Sequence, residues 1–132
     1  RFRALKLYMS VKTFGLKAFR KAIDYNLKLA EQTEAILRKS SKWEVVSPAT
    51  LAVINFRYNS IKLNLNEEEL DELNQKISEK IMASREALLV TTILQNQIVL
   101  RMCLINPRTT LEDVKGTINL CEKFAEDILK NA

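Results

Sequence analysis

Leu88-Leu89-Val90-Thr91-Thr92-Ile93-Leu94, then Gln95-Asn96-Gln97, then Ile98-Val99-Leu100-Arg101-Met102-Cys103-Leu104 form the stretch on which the fold turns. Two apolar runs joined by a short polar spacer have the spacing of a β-hairpin, so residues 88 to 94 and 98 to 104 are predicted to be paired strands. On either side of them the apolar period changes from two to about 3.6 residues.

Upstream, Leu70, Leu73, Ile77 and Ile81 recur at helical spacing as far as Met82. Asn66 with Glu69 makes a capping box, and Leu65 with Leu70 a hydrophobic staple, at the start of that helix. Glu67, Glu68 and Glu69 crowd its first turn, where the helix dipole favours acids and no metal need be invoked. Downstream of Asn106-Pro107, Thr109 with Glu112 predicts a second capping box, followed by a helical seam of Leu111, Val114, Ile118, Cys121, Ala125 and Ile128.

Farther upstream, residues 43 to 47 and 51 to 57 are rich in β-branched and aromatic side chains and are predicted to be two neighbouring strands. The Ser-Pro-Ala-Thr at 47 to 50 reads as the turn between them, and 58 to 65 as a polar connection. The order from residue 42 onward is therefore β-β-α-β-β-α. An α+β fold follows, with two helices on one face of a mostly antiparallel four-stranded sheet.

Residues 1 to 41 form a helical arm in front of this small domain (42 to 132). Phe2, Leu5, Met9, Val11 and Phe14 suggest a short helix, and Gly15 a kink. Leu16, Phe19, Ile23, Leu27, Ala30 and Leu37 suggest one long amphipathic helix after it. The helical pattern is already running at residue 2 and the chain opens on Arg1-Phe2-Arg3, as a fragment of a longer protein would. The net charge of +5 is uneven: the first 42 residues carry 11 Lys and Arg against three acids, and the remainder carries 10 against 13. The basic residues stand singly at helical spacing without interleaved aromatics. A solvated face or one docked on an acidic partner domain is favoured over nucleic acid, and a nucleic-acid-binding domain is the third reading.

The 132 residues, 47% apolar, suit one modest core. The chain contains no histidine, which removes Ser-His-Asp and Cys-His catalysis, an imidazole base and HExxH zinc chemistry. Two glycines leave little for phosphate-cradling loops. Cys103 and Cys121 cannot build a zinc site alone and are expected to be reduced core residues of a cytoplasmic protein, with a disulfide as the lesser alternative. No signal peptide or membrane-length apolar run is present.

One residue stands apart. Arg101 interrupts an apolar strand and by alternation shares a face with Val99 and Cys103, opposite Ile98, Leu100, Met102 and Leu104. A guanidinium on a half-buried strand calls for an anion. A salt bridge to a nearby Glu, simple exposure, and bidentate capture of a ligand carboxylate or phosphate all answer that need. Lys6, Lys12, Lys17 and Lys21 read as solvent-face residues, Trp43 and Phe56 as core aromatics, and Asn106-Pro107-Arg108 as a loop in which Asn106 or the threonines satisfy backbone donors.

The opening string Arg1-Phe2-Arg3-Ala4-Leu5-Lys6-Leu7-Tyr8 with Phe14-Gly15 and a long helix resembles the segment leading out of the large domain in group II pyridoxal-phosphate-dependent decarboxylases. These are the aromatic-L-amino-acid decarboxylases and their tyrosine, tryptophan and glutamate relatives. Residues 98 to 107 with Thr109-Thr110 resemble the family's last strand and loop, and Leu73-Asn74-Gln75 with Ile77 and Ile81 its intervening helix.

The resemblance implies the C-terminal small domain of a fold-type I enzyme that removes an amino acid's α-carboxylate as carbon dioxide, with pyridoxal 5'-phosphate as electron sink. It places Arg101 where the substrate carboxylate is bound. It also implies domain closure over the large domain and a homodimer. The cofactor's lysine, stacking histidine and pyridine-nitrogen aspartate have no match here. This chain is therefore expected to hold no catalytic or cofactor-binding residue and to be inactive alone. The alternative is a non-enzymatic α+β interaction or regulatory module that binds a small anionic ligand.

Overall fold

A computed structural model describes residues 3 to 60 and 64 to 131. Phe2 and part of the polar connection lie outside the described residues. Helix α1 (Ala4–Lys39) is followed by strands β1 (Trp43–Thr50) and β2 (Val53–Tyr58), helix α2 (Glu67–Ser84), strands β3 (Val90–Leu94) and β4 (Gln97–Cys103), and helix α3 (Leu111–Lys130). From β1 onward this is the β-β-α-β-β-α order expected from the sequence. The strands lie in the order β1-β2-β4-β3, every neighbouring pair antiparallel.

Alternation divides the sheet into two unlike faces. Ile54, Phe56 and Tyr58 of β2 and Leu100 and Met102 of β4 point into one core, with Phe56 opposite Leu100 and Ile54 opposite Met102. Leu73, Ile77 and Ile81 of α2 and Val114, Ile118, Cys121 and Ala125 of α3 close that core, and Leu29, Ala30 and Leu37 of α1 join them. Three helices thus cover the sheet where two were expected. Each fully buried Leu or Ile contributes about 1.5–3 kcal/mol. Trp43 and Phe56 are core aromatics, as expected, and meet edge to face at 5.3 Å between ring centres.

Several boundaries differ from the sequence reading. Ser47-Pro48-Ala49-Thr50 is strand, not turn: it forms the second half of β1, with register irregularities on both sides of Ser47. Proline is tolerated there because β1 is an edge strand and its ladder is bulged. The reversal falls instead at Leu51 and Ala52, both at positive φ (51° and 61°), with Thr50 facing Val53. Neither residue advertises a left-handed turn, so the sequence conceals it. In the second hairpin only Gln95 and Asn96 form the turn (φ 53° and 61°), and Gln97 already pairs with Leu94.

The capping box of α2 is the one expected: the Asn66 side chain accepts from the Glu69 N–H at 2.9 Å and the Glu69 carboxylate accepts from the Asn66 N–H at 2.8 Å. For α3 the box slides one residue on, to Thr110 and Asp113. Thr109 is instead drawn back into the preceding loop, its N–H donating to the Asn106 carbonyl at 3.1 Å. Asn106 Oδ1 accepts from the Arg108 N–H, as the loop reading expected.

Helix α1 is interrupted at Gly15 (φ 77°, ψ 155°), a backbone conformation open to glycine and strained for other residues. Burial along this helix departs from the apolar stripe. Its buried positions are Asn26, Leu29, Ala30, Thr33 and Leu37, whereas Leu5, Met9, Phe14, Leu16 and Ile23 are exposed. The stripe is real but only its C-terminal half meets this chain's core. Among the described residues no helix is long and apolar enough to cross a membrane.

Candidate functional site

The helix-free face of the sheet carries Val53, Asn55 and Arg57 from β2, Arg101 and Cys103 from β4, and Val90 from β3. Two arginines stand on it, and they differ sharply in their partners. Arg57 is 2% exposed and fully engaged: its Nε donates to Glu44 at 2.9 Å, and Nη1 and Nη2 donate to the two oxygens of Glu67 at 2.8 and 3.2 Å. Asn59 Nδ2 steadies Glu44, donating at 2.7 Å, and Gln97 Nε2 reaches Glu67 at 3.3 Å. The fork thereby ties β1 and β2 to the first turn of α2.

The hydrogen bond that Arg57 donates to Glu67 is the main reason Arg57 is held charged above its ordinary value, and Arg57 in turn holds Glu67 below 4.5. Burial works against the Glu44 carboxylate, but the bonds from Asn59 and Arg57 prevail and lower it too. Sequence reasoning missed this residue, although the signal was the same as for Arg101: a cation inside an apolar strand. The salt bridge to a nearby Glu that a strand arginine calls for is made by Arg57 and not by Arg101.

Arg101 is exposed and, among the described residues, makes no ion pair and no side-chain hydrogen bond. Its cross-strand neighbours are Asn55 on β2 and Val90 on β3. Arg101 lines a cavity of about 460 Å³ at the β3 edge, whose walls include the apolar Leu88, Val90, Met102 and Ile105 and also the acids Glu86 and Asp113. Leu88, Ile105 and nearby Leu51 are strongly exposed apolar side chains. The arrangement presents one planar cation beside an apolar hollow, suited to a ligand with a carboxylate at one end and an apolar body at the other.

Cys103, expected in the core, is exposed on this same face, because its alternation phase is that of Arg101 and not that of Met102. Cys121 is buried as expected, and burial pushes its thiol up to about 12. Both cysteines are free, so the alternative of a disulfide is not met.

A pyridoxal group requires a lysine that can become a neutral nucleophile. Lys6, Lys12, Lys17 and Lys21 are exposed, as expected. Lys42 is driven the opposite way: its bonds to Glu122 (2.8 Å) and Glu126 (3.1 Å) hold it charged, above 10.5. The chain has no histidine to stack on the ring. The described residues therefore do not fit the cofactor as its holders.

The family model described as "Pyridoxal-dependent decarboxylase conserved domain" matches residues 1–59. Over 128 residues, 97% of this chain, the sequence is 44% identical to an aromatic-L-amino-acid decarboxylase of Bacillus atrophaeus. This chain is similar to one segment of pyridoxal-dependent decarboxylases.

A tryptophan decarboxylase 2 of Oryza sativa subsp. japonica is 30% identical over 129 residues. The chain spans 26% of the length of each of these two relatives. Among solved structures, "Oryza sativa TDC with PLP and tryptamine" superposes with a TM-score of 0.85 at 26% identity, over 97% of this chain and 27% of the other. The α+β architecture is thus the one that family members carry, and the enzymes it resembles are lyases.

Proposed function

We propose that this chain is the C-terminal segment of a cytoplasmic, homodimeric, pyridoxal-phosphate-dependent decarboxylase of aromatic amino acids, in which Arg101 receives the substrate's α-carboxylate. The observation that carries the reading is an exposed arginine with no ion pair among the described residues, lining a largely apolar hollow at the β3 edge of the sheet. An α-carboxylate satisfies the fork, and an aromatic side chain suits apolar walls. The 44% identical relative, named an aromatic-L-amino-acid decarboxylase, supports the substrate class. Free thiols at Cys103 and Cys121 suit a reducing compartment.

In this reading pyridoxal phosphate is held by the rest of the enzyme. Residues 42 to 132 act as a small domain that closes on the large one. Residues 1 to 41 are the arm joining the two, and the exposed Leu5, Met9, Phe14, Leu16 and Ile23 of α1 pack against the large domain and the second subunit. An apolar stripe of this size left in water favours association.

Arg101→Ala in the full-length protein tests the assignment. The expected result is a fall in kcat/KM of about 10²-fold or more, the loss of one charge-assisted bidentate contact, with cofactor absorbance retained. Unchanged kinetics would remove Arg101 from the site.

A further inference from the structure

We infer that Asn55 is the positioning residue for Arg101: its carboxamide oxygen takes one guanidinium N–H and turns the rest of the fork toward the substrate carboxylate. The inference rests on the carboxylate reading of Arg101 and adds the residue that aims it.

Asn55 lies in the middle of β2, directly opposite Arg101 on β4 and Ser47 on β1. It belongs to the helix-free face, since Ile54 and Phe56 on either side of it point into the core. Directly opposed residues on one face have Cβ atoms about 4.5–5.5 Å apart, well within the span of an arginine side chain.

The Oδ1 of Asn55 is buried and accepts no hydrogen bond from any described residue. Such an orphan is costly, and among the described residues only the Oδ1 of Asn26 in α1 shares the condition. Buried Asn74 is the contrast: its oxygen accepts from the Tyr58 N–H, and its nitrogen donates to the carbonyls of Tyr58 and Leu70. An unsatisfied acceptor beside a cation is explained by a donor that arrives when the side chains rearrange around a ligand.

Two guanidinium groups share the face. Arg57 has committed Nε, Nη1 and Nη2 to Glu44 and Glu67. Arg101 has none of its nitrogens committed to a described side chain, so it is the donor at hand. A neutral amide also suits the task. It orients the fork without neutralising it, whereas an aspartate at this position would compete with the substrate carboxylate for the same N–H groups.

The test compares full-length wild type, Asn55→Val, Asn55→Thr, Arg101→Ala and the Asn55→Val/Arg101→Ala double variant. Two quantities are measured: KM for the amino acid, and the inhibition constant of its amine product, which lacks the carboxylate. Valine and threonine are matched in shape and both suit a strand, so they differ in the acceptor oxygen alone. Asn55→Val is expected to raise KM about 10-fold and to leave the amine's constant within about twofold, as loss of an aimed carboxylate contact requires.

Asn55→Thr should raise KM less, and Asn55→Val should add little in the Arg101→Ala background, because residues acting through one another are not additive. Equal rises in KM and in the amine's constant, equal effects of valine and threonine, or full additivity with Arg101→Ala would each overturn the inference. If Arg101→Ala raises KM and Asn55→Val does not, the role of Asn55 falls and that of Arg101 stands. If Arg101→Ala itself leaves KM unchanged, the carboxylate reading falls and this inference with it.

Discussion

Arg57 and Arg101 show how far alternation alone can carry a side chain. Both are cations in apolar strands and both point to the helix-free face, yet one is enclosed by two carboxylates and the other pairs with none among the described residues. Nothing local distinguishes them. The acids that serve Arg57 arrive from β1 and from the first turn of α2, 13 and 10 residues away in sequence. Glu67 was legible as a dipole-favoured first-turn acid, but its second role needed the third dimension. Glu44 and Glu67 are well exposed while Arg57 is 2% exposed, so the two ends of the network respond differently to mutation. Replacing Glu44 or Glu67 singly by Gln leaves Arg57 one charged partner and should have a small effect on stability. Replacing both strands a buried guanidinium and should cost about 3 kcal/mol, more than the sum of the singles, in chemical denaturation.

At the scale of elements, helices were more legible than their ends. The repeat of Leu70, Leu73, Ile77 and Ile81 and the Asn66 box located α2 to within two residues of its C-terminus at Ser84. The α3 box was displaced because two adjacent threonines are followed by two adjacent acids, Glu112 and Asp113, so the spacing rule fits both registers. The competing bond from the Thr109 N–H to the Asn106 carbonyl selects Thr110. Thr110→Ala should therefore cost about 1 kcal/mol of stability, while Thr109→Ala should be near neutral; thermal melts of the two variants decide between the registers. The β1 to β2 reversal was misplaced for a different reason. A Ser-Pro pair is a strong turn signal, but a bulged edge strand tolerates it, and the true turn uses Leu51 and Ala52 in conformations that sequence preferences disfavour.

Across the whole molecule the ion pairs and caps give stability a definite pH window. Glu34 is lowered chiefly by the Ala49 N–H, Glu67 by Arg57, and Asp113 by the Thr110 N–H, while Glu44 is lowered despite its burial. A carboxyl whose folded value is depressed stabilises fully above its unfolded value and loses that contribution as pH falls through the folded one. Stability should thus hold down to about pH 4.5 for the glutamates and decline below it. Lys42 works in the opposite sense: raised by Glu122 and Glu126, it stabilises fully below 10.5 and loses its contribution as pH rises beyond its folded value. Melting temperatures from pH 3 to 7 should show the acid shoulder. Glu44→Gln with Glu67→Gln should flatten it, and a shoulder unaltered in that variant would show that other groups control it.

By itself, the sequence determined the order of elements from β1 onward and two of the three helices that close the core, because period and capping are local properties. It also carried the likeness to pyridoxal-dependent decarboxylases and the phase that puts Arg101 on the opposite face from Leu100 and Met102. Only the tertiary structure decided which arginine is neutralised, which half of the α1 stripe meets a core, and that Cys103 lies beside Arg101 in the open. Those outcomes depend on groups that approach from distant parts of the chain. Whether a charge or an apolar side chain keeps its water is settled by what the fold brings against it.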